Sequence, residues 1–316
     1  MISQLTDELV YGFLQVEPGS RLGGALHFFI YDSVKILLLL FSMIWVIGVL
    51  RTYISPTRIR MWIGGKSRGL GYLASSLLGV LTPFCSCSSI PIFMSFVKAG
   101  VPAGPAFSLL VTSPLINEYL VVLMVGFFGL KITGMYVLLG LTLGVFAGFL
   151  ADRFKFERHF VEDMAGGRQL EDETYSRFKD RLQYGLDEAK GIVKKLWFWV
   201  LLGVGVGAAI HGFIPEEKIH SLLEHTGPFS VPLAVIVGIP IYANCSAVVP
   251  VALVLFQKGV PLGTALSFMM ATAALSLPEA VILRRVMKLP LIIAFFTMVG
   301  SGIILIGLVF NLVPIN

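Results

Sequence analysis

Charged side chains are scarce in this sequence. Only 14% of its 316 residues are Asp, Glu, Lys or Arg, whereas a soluble domain has about a quarter. Apolar residues make up 56%, and the mean hydropathy is +0.85. These values exclude a soluble globular domain, a disordered chain and a nucleic-acid-binding protein. They predict an all-α polytopic membrane protein that has the lipid bilayer as its surroundings.

Two further absences narrow the function. Three cysteines are too few for a disulfide scaffold. The sequence also lacks a phosphate loop, a Walker motif, a nucleophile triad and a His-rich metal pattern. We therefore predict no enzyme activity, no cofactor, no bound metal and no nucleic-acid partner. The net charge of +5 does not indicate a nucleic-acid partner. The most highly charged stretch, 152–195, is neutral, with as many basic as acidic residues.

Several segments are long and apolar enough to cross a membrane, which takes about 20 residues. They are Phe28–Leu50, Pro102–Leu130, Lys131–Leu150, Leu196–Ile214, Val260–Ile282 and Leu289–Val313. Two other regions, Gly71–Val97 and Val231–Phe256, are interrupted by Pro and small polar residues. Each apolar piece of these regions is too short for the roughly 30 Å hydrocarbon core. The pattern predicts broken or re-entrant helices that line a protein-enclosed cavity.

The distribution of Lys and Arg predicts the orientation of the chain. Segment 51–70 carries several basic residues and no acidic residue, which places it in the cytosol. A second basic cluster at 284–288 is placed there as well, and both termini are then outside. The predicted divisions are an N-terminal interfacial segment (1–27), a first transmembrane repeat (28–151), a charged cytosolic linker (152–195) and a second transmembrane repeat (196–316).

The two halves of the chain resemble each other when the first is shifted onto the second so that Pro91 falls on Pro250. Under this repeat shift, the segment that begins at Gly100 falls on the one that begins at Gly259, and most of its positions are identical. Because Gly and Pro match, the similarity indicates an internal repeat. The loop after the first span is basic but its partner, 215–230, is acidic, which predicts inverted repeats. Inversion needs an odd number of crossings per half, either three spans with a re-entrant hairpin or five spans. This architecture is typical of transporters with a site near the midplane.

Two mirrored motifs carry the residues best suited to chemistry. The segment Thr82–Pro91 reads TPFCSCSSIP, and the repeat shift carries its cysteine cluster to Asn244–Ser246. A new short helix is predicted after each break, with Ser88, Ser89 and Ser246 as suitable N-cap residues. A helix N-terminus favours thiolates and attracts anions. We therefore predict a site for a soft, thiophilic solute. Its predicted substrate-binding residues are Cys85, Ser86, Cys87, Ser88, Asn244, Cys245 and Ser246.

Two acidic residues lie inside predicted spans. Glu118 and Glu279 each follow a Gly-Val-Pro turn and belong to the long apolar segment that the turn begins. An acid inside a span is costly and usually faces a cavity or a partner. Both are therefore candidate proton-coupling carboxylates, although pairing with Arg284 or Arg285 is an alternative for Glu279. The repeat alignment slips slightly here, so their equivalence is left open.

With this cysteine motif and the Gly-Val-Pro turns, the chain resembles the predicted-permease family that includes the ArsP-type organoarsenical efflux permeases. The resemblance covers most of both halves. It implies export of trivalent organoarsenicals such as methylarsenite across the prokaryotic inner membrane, and hence arsenic resistance. Trivalent arsenic binds sulfur ligands, so the thiols agree with that chemistry.

Two other functions stay open from the sequence. One is a permease for a sulfur-containing anion such as thiosulfate, since two helix N-termini suit an anion as well. The other is a membrane thiol oxidoreductase that uses Cys85 and Cys87. With no nucleotide-binding motif, a proton gradient is the expected energy source for a transporter. A homodimer is the partner arrangement we consider.

Overall fold

The chain folds into a helical bundle. A computed structural model describes residues 6–13, 20–52, 68–81, 86–98, 100–161, 177–213, 229–241, 245–284 and 286–312. These residues contain no strand longer than an isolated bridge between Phe160 and Met287. The structure thus confirms an all-α protein. Three helical stretches are long and apolar enough to cross a membrane, 120–153, 262–283 and 289–312, and the second of them consists of two helices.

Eleven helices are assigned within the described ranges, after a short π-helical segment at Glu8–Phe13. They are α1 (Arg21–Arg51), α2 (Arg68–Leu81), α3 (Ser86–Lys98), α4 (Ala103–Leu115), α5 (Glu118–Arg153), α6 (Phe178–Phe213), α7 (Ser230–Gly238), α8 (Cys245–Gln257), α9 (Leu262–Ala274), α10 (Leu277–Leu283) and α11 (Leu289–Leu312). A 3₁₀ turn, Phe156–His159, follows α5.

The helix bounds recur under the repeat shift. Shifted in this way, α3 and α4 coincide with α8 and α9 at both ends. Helix α5 is kinked at Gly129, where φ is 81°. Shifted, α5 covers α10 and α11 together, and its kink falls on Lys288, directly before α11 begins. The repeat is therefore present in the secondary structure as well as in the sequence.

Helices α4 and α9 form the centre of the bundle, and every one of their residues is buried. They touch each other, and small residues let their neighbours approach closely. A Cβ added to Gly79 of α2 would lie 3.3 Å from the carbonyl oxygen of Leu109 in α4. At the equivalent Gly238 of α7, it would lie 2.9 Å from the Cβ of Ala271 in α9. The same contact thus packs both halves.

Helices α2 and α3 form a hairpin that returns to the end where it began. Near the start of α2, the Tyr72 hydroxyl donates to Asp152, which accepts from Gly104 N at the start of α4. Further along, Gly79 meets the later part of α4, so α2 and α4 run parallel. Helix α3 runs antiparallel to α4, because a short turn joins them and the Phe93 and Phe107 rings meet at 5.3 Å.

The long helices pack in two pairs. Helix α1 is antiparallel to α6, since the Arg181 guanidinium donates to the carbonyl oxygen of Thr52 at one end and Phe29 lies against Gly205 near the other. The second segment of α5 meets α11 where the Leu143 side chain lies against Gly302. The repeat shift carries Leu143 to Gly302, so equivalent points of the two repeats touch each other.

Two predicted spans are not continuous helices. The predicted span Pro102–Leu130 breaks at Ile116 and Asn117, between α4 and α5. Pro114 lies in the last turn before the break, and the Asn117 side chain accepts from Leu120 N to start the next helix. The predicted span Val260–Ile282 breaks at the equivalent place, before α10.

The N-cap prediction for the short helices is also corrected. Helices α3 and α8 begin at Ser86 and Cys245. Ser88, Ser89 and Ser246 therefore lie within the first turn rather than before it. The segment before α1, which is predicted to lie at the membrane interface, packs on α1 and buries Thr6 and Val10. It is therefore attached to the bundle.

Candidate functional site

The two motifs lie at equivalent helix starts. Ser86, Cys87 and Ser88 form the first turn of α3, and Cys245 and Ser246 form the start of α8. Cys85 and Asn244 directly precede these helices in sequence and lie outside the described residues, as do the side chains of the other five. Both helices have 13 residues, long enough for the free N–H groups and partial positive charge of a helix N-terminus.

Each short helix packs against the broken helix of the opposite half. Helix α10 contacts α3, and α5 contacts α8. The Leu277 amide at the start of α10 also donates to Ile239 O at 3.0 Å, just after α7 ends. Helix α10 therefore lies beside the second break while it contacts the helix of the first motif. This crossed packing brings elements of both repeats to one region.

Aromatic contact gives the register of α5 and α8. The rings of Phe128 and Phe256 lie 6.2 Å apart. Glu118 precedes Phe128 on α5 by nearly the same number of positions as Cys245 precedes Phe256 on α8. At about 1.5 Å per residue, both starting residues lie about 15 Å back along their helices. Glu118 and Cys245 are thus about equally far along their helices from this aromatic contact.

The two candidate coupling acids differ in their surroundings. Glu118 is exposed at the first residue of α5. Glu279 is 1% exposed at the third residue of α10. The repeat shift carries Glu118 onto Leu277, so Glu118 and Glu279 do not occupy equivalent positions in the two repeats. An acid in a first helical turn is favoured by the helix dipole, which accounts for Glu118 without a function.

A pair of helix-start contacts was not predicted from the sequence. Asp152 Oδ1 accepts from Gly104 N at 2.6 Å, and Asn311 Oδ1 accepts from Gly263 N at 2.7 Å. The repeat shift carries the first pair onto the second. In each half the last turns of one helix thus cap the start of a central helix. The signal available in the sequence was the matching of Asp152 with Asn311.

These features define an α-helical membrane protein with transporter-like internal organisation. The predicted-permease family ArsP_1 matches residues 21–312. The chain therefore belongs to this predicted-permease family, which points to a transporter rather than an enzyme.

Curated relatives agree with the assignment. The chain is 24% identical over 266 residues to UPF0718 protein YcgR of Bacillus subtilis, which covers 82% of this chain and 88% of that protein. It is 22% identical to UPF0718 protein MJ0584 of Methanocaldococcus jannaschii, with coverages of 87% and 94%. A Streptococcus mutans protein, named as a subunit of a two-component membrane permease complex, is 22% identical. That match covers 55% of this chain and spans only 58% of the relative's length. No solved structure matches the chain.

Proposed function

We propose that this protein is a secondary transporter that exports a thiophilic small solute across the prokaryotic inner membrane. The solute class we favour is trivalent organoarsenicals such as methylarsenite. The observation that carries the proposal is the position of the two motifs. Each places thiols and small polar residues at the start of a short helix, and the starts are related by the repeat.

The proposed binding site lies between the two repeats. Helix α3 supplies Ser86, Cys87 and Ser88, helix α8 supplies Cys245 and Ser246, and Cys85 and Asn244 directly precede them. Thiolates at these positions would be stabilised by the helix N-termini and would bind trivalent arsenic directly. The crossed packing of α10 on α3 and of α5 on α8 supports a site shared by both halves.

We further propose that the repeats have inverted topology. The support is directional: the starts of α2 and α4 meet the end of α5 at Asp152, and the end of α1 meets the start of α6. Helix α6 runs antiparallel to α1, so its own end lies at the opposite side, where the second half begins. Each half then contributes three crossings and a re-entrant hairpin. Rocking of one half against the other would give alternating access.

Proton coupling is assigned to a buried carboxylate. Glu279 combines burial with a position on α10, which contacts α3. A change in the charge of Glu279 would alter the electrostatic surroundings of α3, the helix that carries the first motif. Glu118 remains the second candidate, because α5 contacts α8.

The test is uptake of methylarsenite by everted membrane vesicles. We expect uptake by the unsubstituted protein, and loss of nearly all of it in Cys85→Ser, Cys87→Ser and Cys245→Ser. A matched control is Ser42→Ala, because Ser42 is exposed on α1 outside the motifs. Uptake that survives all three cysteine substitutions would contradict a thiol-bound substrate.

The second candidate is a permease for a sulfur-containing anion such as thiosulfate. It is favoured by the two 13-residue helices, whose N-termini bind anions through backbone N–H groups. The cysteines would then donate only weak hydrogen bonds, so Cys→Ser variants would retain partial thiosulfate transport. Thiosulfate uptake without methylarsenite uptake would favour this candidate over the first.

A further inference from the structure

A large groove lies on the side of the bundle, between the second segment of α5 and α11. Its volume is about 1810 Å³. Its walls include α5 residues from Leu138 to Leu150 and α11 residues from Pro290 to Ile306. The described residues that line it belong to α2, α5, α11 and the turn after α5, whereas the two cysteine motifs lie at the starts of α3 and α8.

The walls suit hydrocarbon chains. Leu138, Phe146 and Phe149 of α5 and Leu305 of α11 are large apolar residues that are exposed. The α5 wall from Leu138 to Leu150 extends over about 18 Å at about 1.5 Å per residue. One leaflet of a bilayer has a hydrocarbon thickness of about 15 Å, half of the core. The groove therefore has the length of the acyl chains in one leaflet.

One end of the groove is cationic. Arg153, Lys155 and His159 line it there, and all three are exposed. Lys288 is exposed nearby, and its backbone N–H donates to His159 O at 2.9 Å. Arg153, Lys155 and His159 belong to the segment that the Lys and Arg distribution predicts to be cytosolic. The basic end thus falls at the level of the inner-leaflet headgroups.

The acidic residues at this end, including Asp152 in the groove wall, accept hydrogen bonds from neighbouring groups. Asp152 accepts from the Tyr72 hydroxyl at 2.7 Å and from Gly104 N at 2.6 Å. Glu157 accepts from Ala103 N at 3.2 Å. Both carboxylates therefore face the N-terminus of α4, whose dipole offsets their charge. The basic side chains of Arg153, Lys155 and His159 can therefore bind an anion that enters the groove.

Lys155 occupies an unusual backbone conformation. Its φ is 51° and its ψ is 53°, in the left-handed region that glycine and asparagine prefer. Among the described residues, it is the non-glycine residue with positive φ. Glycine at this turn would fit the backbone with less strain. A side chain kept at such a position is consistent with a role for its charge.

From these observations we propose that the groove binds an anionic phospholipid of the inner leaflet. The acyl chains would lie between α5 and α11, and the phosphate would meet Arg153 and Lys155 at the basic end. Basic pockets between membrane helices on the cytoplasmic side are known to suit such headgroups.

The test is native mass spectrometry of the full chain in mild detergent, with equal amounts of added phosphatidylglycerol and phosphatidylcholine. We expect preferential retention of phosphatidylglycerol, reduced about fivefold by Lys155→Gly and again by Arg153→Gln, as about 1 kcal/mol per basic residue implies. Lys155→Gly suits the test because glycine adopts the left-handed conformation without strain. The control is Lys131→Gln, an exposed cation on α5 that does not line the groove.

The other outcomes are equally definite. Equal retention of both lipids, or retention unchanged in Lys155→Gly and Arg153→Gln, would overturn the proposal. A homodimer that excludes lipid, and that Phe146→Ser dissociates, would assign the groove to a second copy instead. These results do not depend on transport of any solute, so they are separate from the outcome of the vesicle experiment.

Discussion

Two acidic residues illustrate how much local environment matters at the scale of single residues. Both are predicted from the sequence to lie inside spans as coupling carboxylates. In the structure, Glu118 is exposed at the first residue of a helix, whereas Glu279 is buried. An acid buried inside a span is costly and usually faces a cavity or a partner. Of the two, Glu279 is therefore the better candidate for coupling protons to transport.

Substitution of each acid by its amide separates the two candidates. We expect Glu279→Gln to abolish the dependence of transport on the pH gradient while substrate binding is retained. We expect Glu118→Gln to keep most of that dependence, because its carboxylate is exposed. The measurement is uptake by everted vesicles with and without an imposed pH gradient. If Glu279→Gln responds to the gradient as the unsubstituted protein does, the coupling assignment is wrong.

A glycine at a helix contact gives a prediction on stability. A Cβ at Gly238 would lie 2.9 Å from the Cβ of Ala271, closer than side chains tolerate. We expect Gly238→Ala to destabilise the protein by about 1–3 kcal/mol, the usual cost of overpacking. Gly79→Ala should cost less, because its nearest atoms lie at 3.3 Å.

The matched control is Gly134→Ala, since nothing lies within 4 Å of a Cβ added there. Removing a glycine from a helix interior should stabilise by about 0.5–1 kcal/mol. Thermal unfolding of the three variants in detergent measures the order. A Gly238→Ala protein as stable as Gly134→Ala would contradict the close contact between α7 and α9.

At the scale of helices, the ends of α5 and α11 stabilise the starts of the central helices. Asp152 accepts two hydrogen bonds, from the Gly104 amide and the Tyr72 hydroxyl. In the second half, the Asn311 side chain likewise accepts a hydrogen bond from the Gly263 amide. The capping residue of a buried helix start comes from a distant helix here, since Pro102 and Pro261 at the two N-cap positions make no side-chain capping bond.

Loss of the Asp152 carboxylate should be felt in stability. We expect Asp152→Ala to cost about 1–2 kcal/mol, the range for a lost helix cap. Tyr72→Phe removes one hydrogen bond and should cost about 1 kcal/mol. Asp152→Asn keeps an acceptor for Gly104 and should cost less than Asp152→Ala. Chemical denaturation in detergent gives the comparison, and equal losses in the alanine and asparagine variants would argue against the capping role.

The whole molecule consists of two similar halves that meet at equivalent points. Leu143 and Gly302 touch, and so do the paired central helices α4 and α9. A twofold relation between the halves produces such self-equivalent contacts. With one basic and one acidic loop at matched positions, we proposed that this relation inverts one half within the membrane.

Labelling from the two sides of the membrane tests the inversion. Lys98 ends α3, and Lys258 directly follows Gln257, which ends α8 and is the repeat equivalent of Lys98. We expect an impermeant amine reagent to modify Lys258 in intact cells and Lys98 only in everted vesicles. Each lysine should be scored in a variant with the other replaced by arginine. Modification of both lysines from the same side would rule out inverted repeats.

Sequence reasoning found the coarse organisation and several of its details. Apolar composition predicted the membrane protein, and matching Gly and Pro residues revealed the repeat, whose helix bounds recur under the same shift. Short apolar pieces around 82–89 and 243–246 predicted interrupted helices. The breaks at Ile116 and Leu275 were missed, because hydropathy does not register a change of direction within a continuous apolar run.

The sequence by itself determined the class of protein, the repeat and the position of the two motifs, because each depends on local composition and spacing. Tertiary structure alone decided which half contacts which motif, since α10 and α5 cross to the opposite repeat. It also decided the burial of Glu279 and the capping by Asp152. These properties depend on how distant helices pack, and burial of a side chain is set by its neighbours in space rather than by its neighbours in the chain.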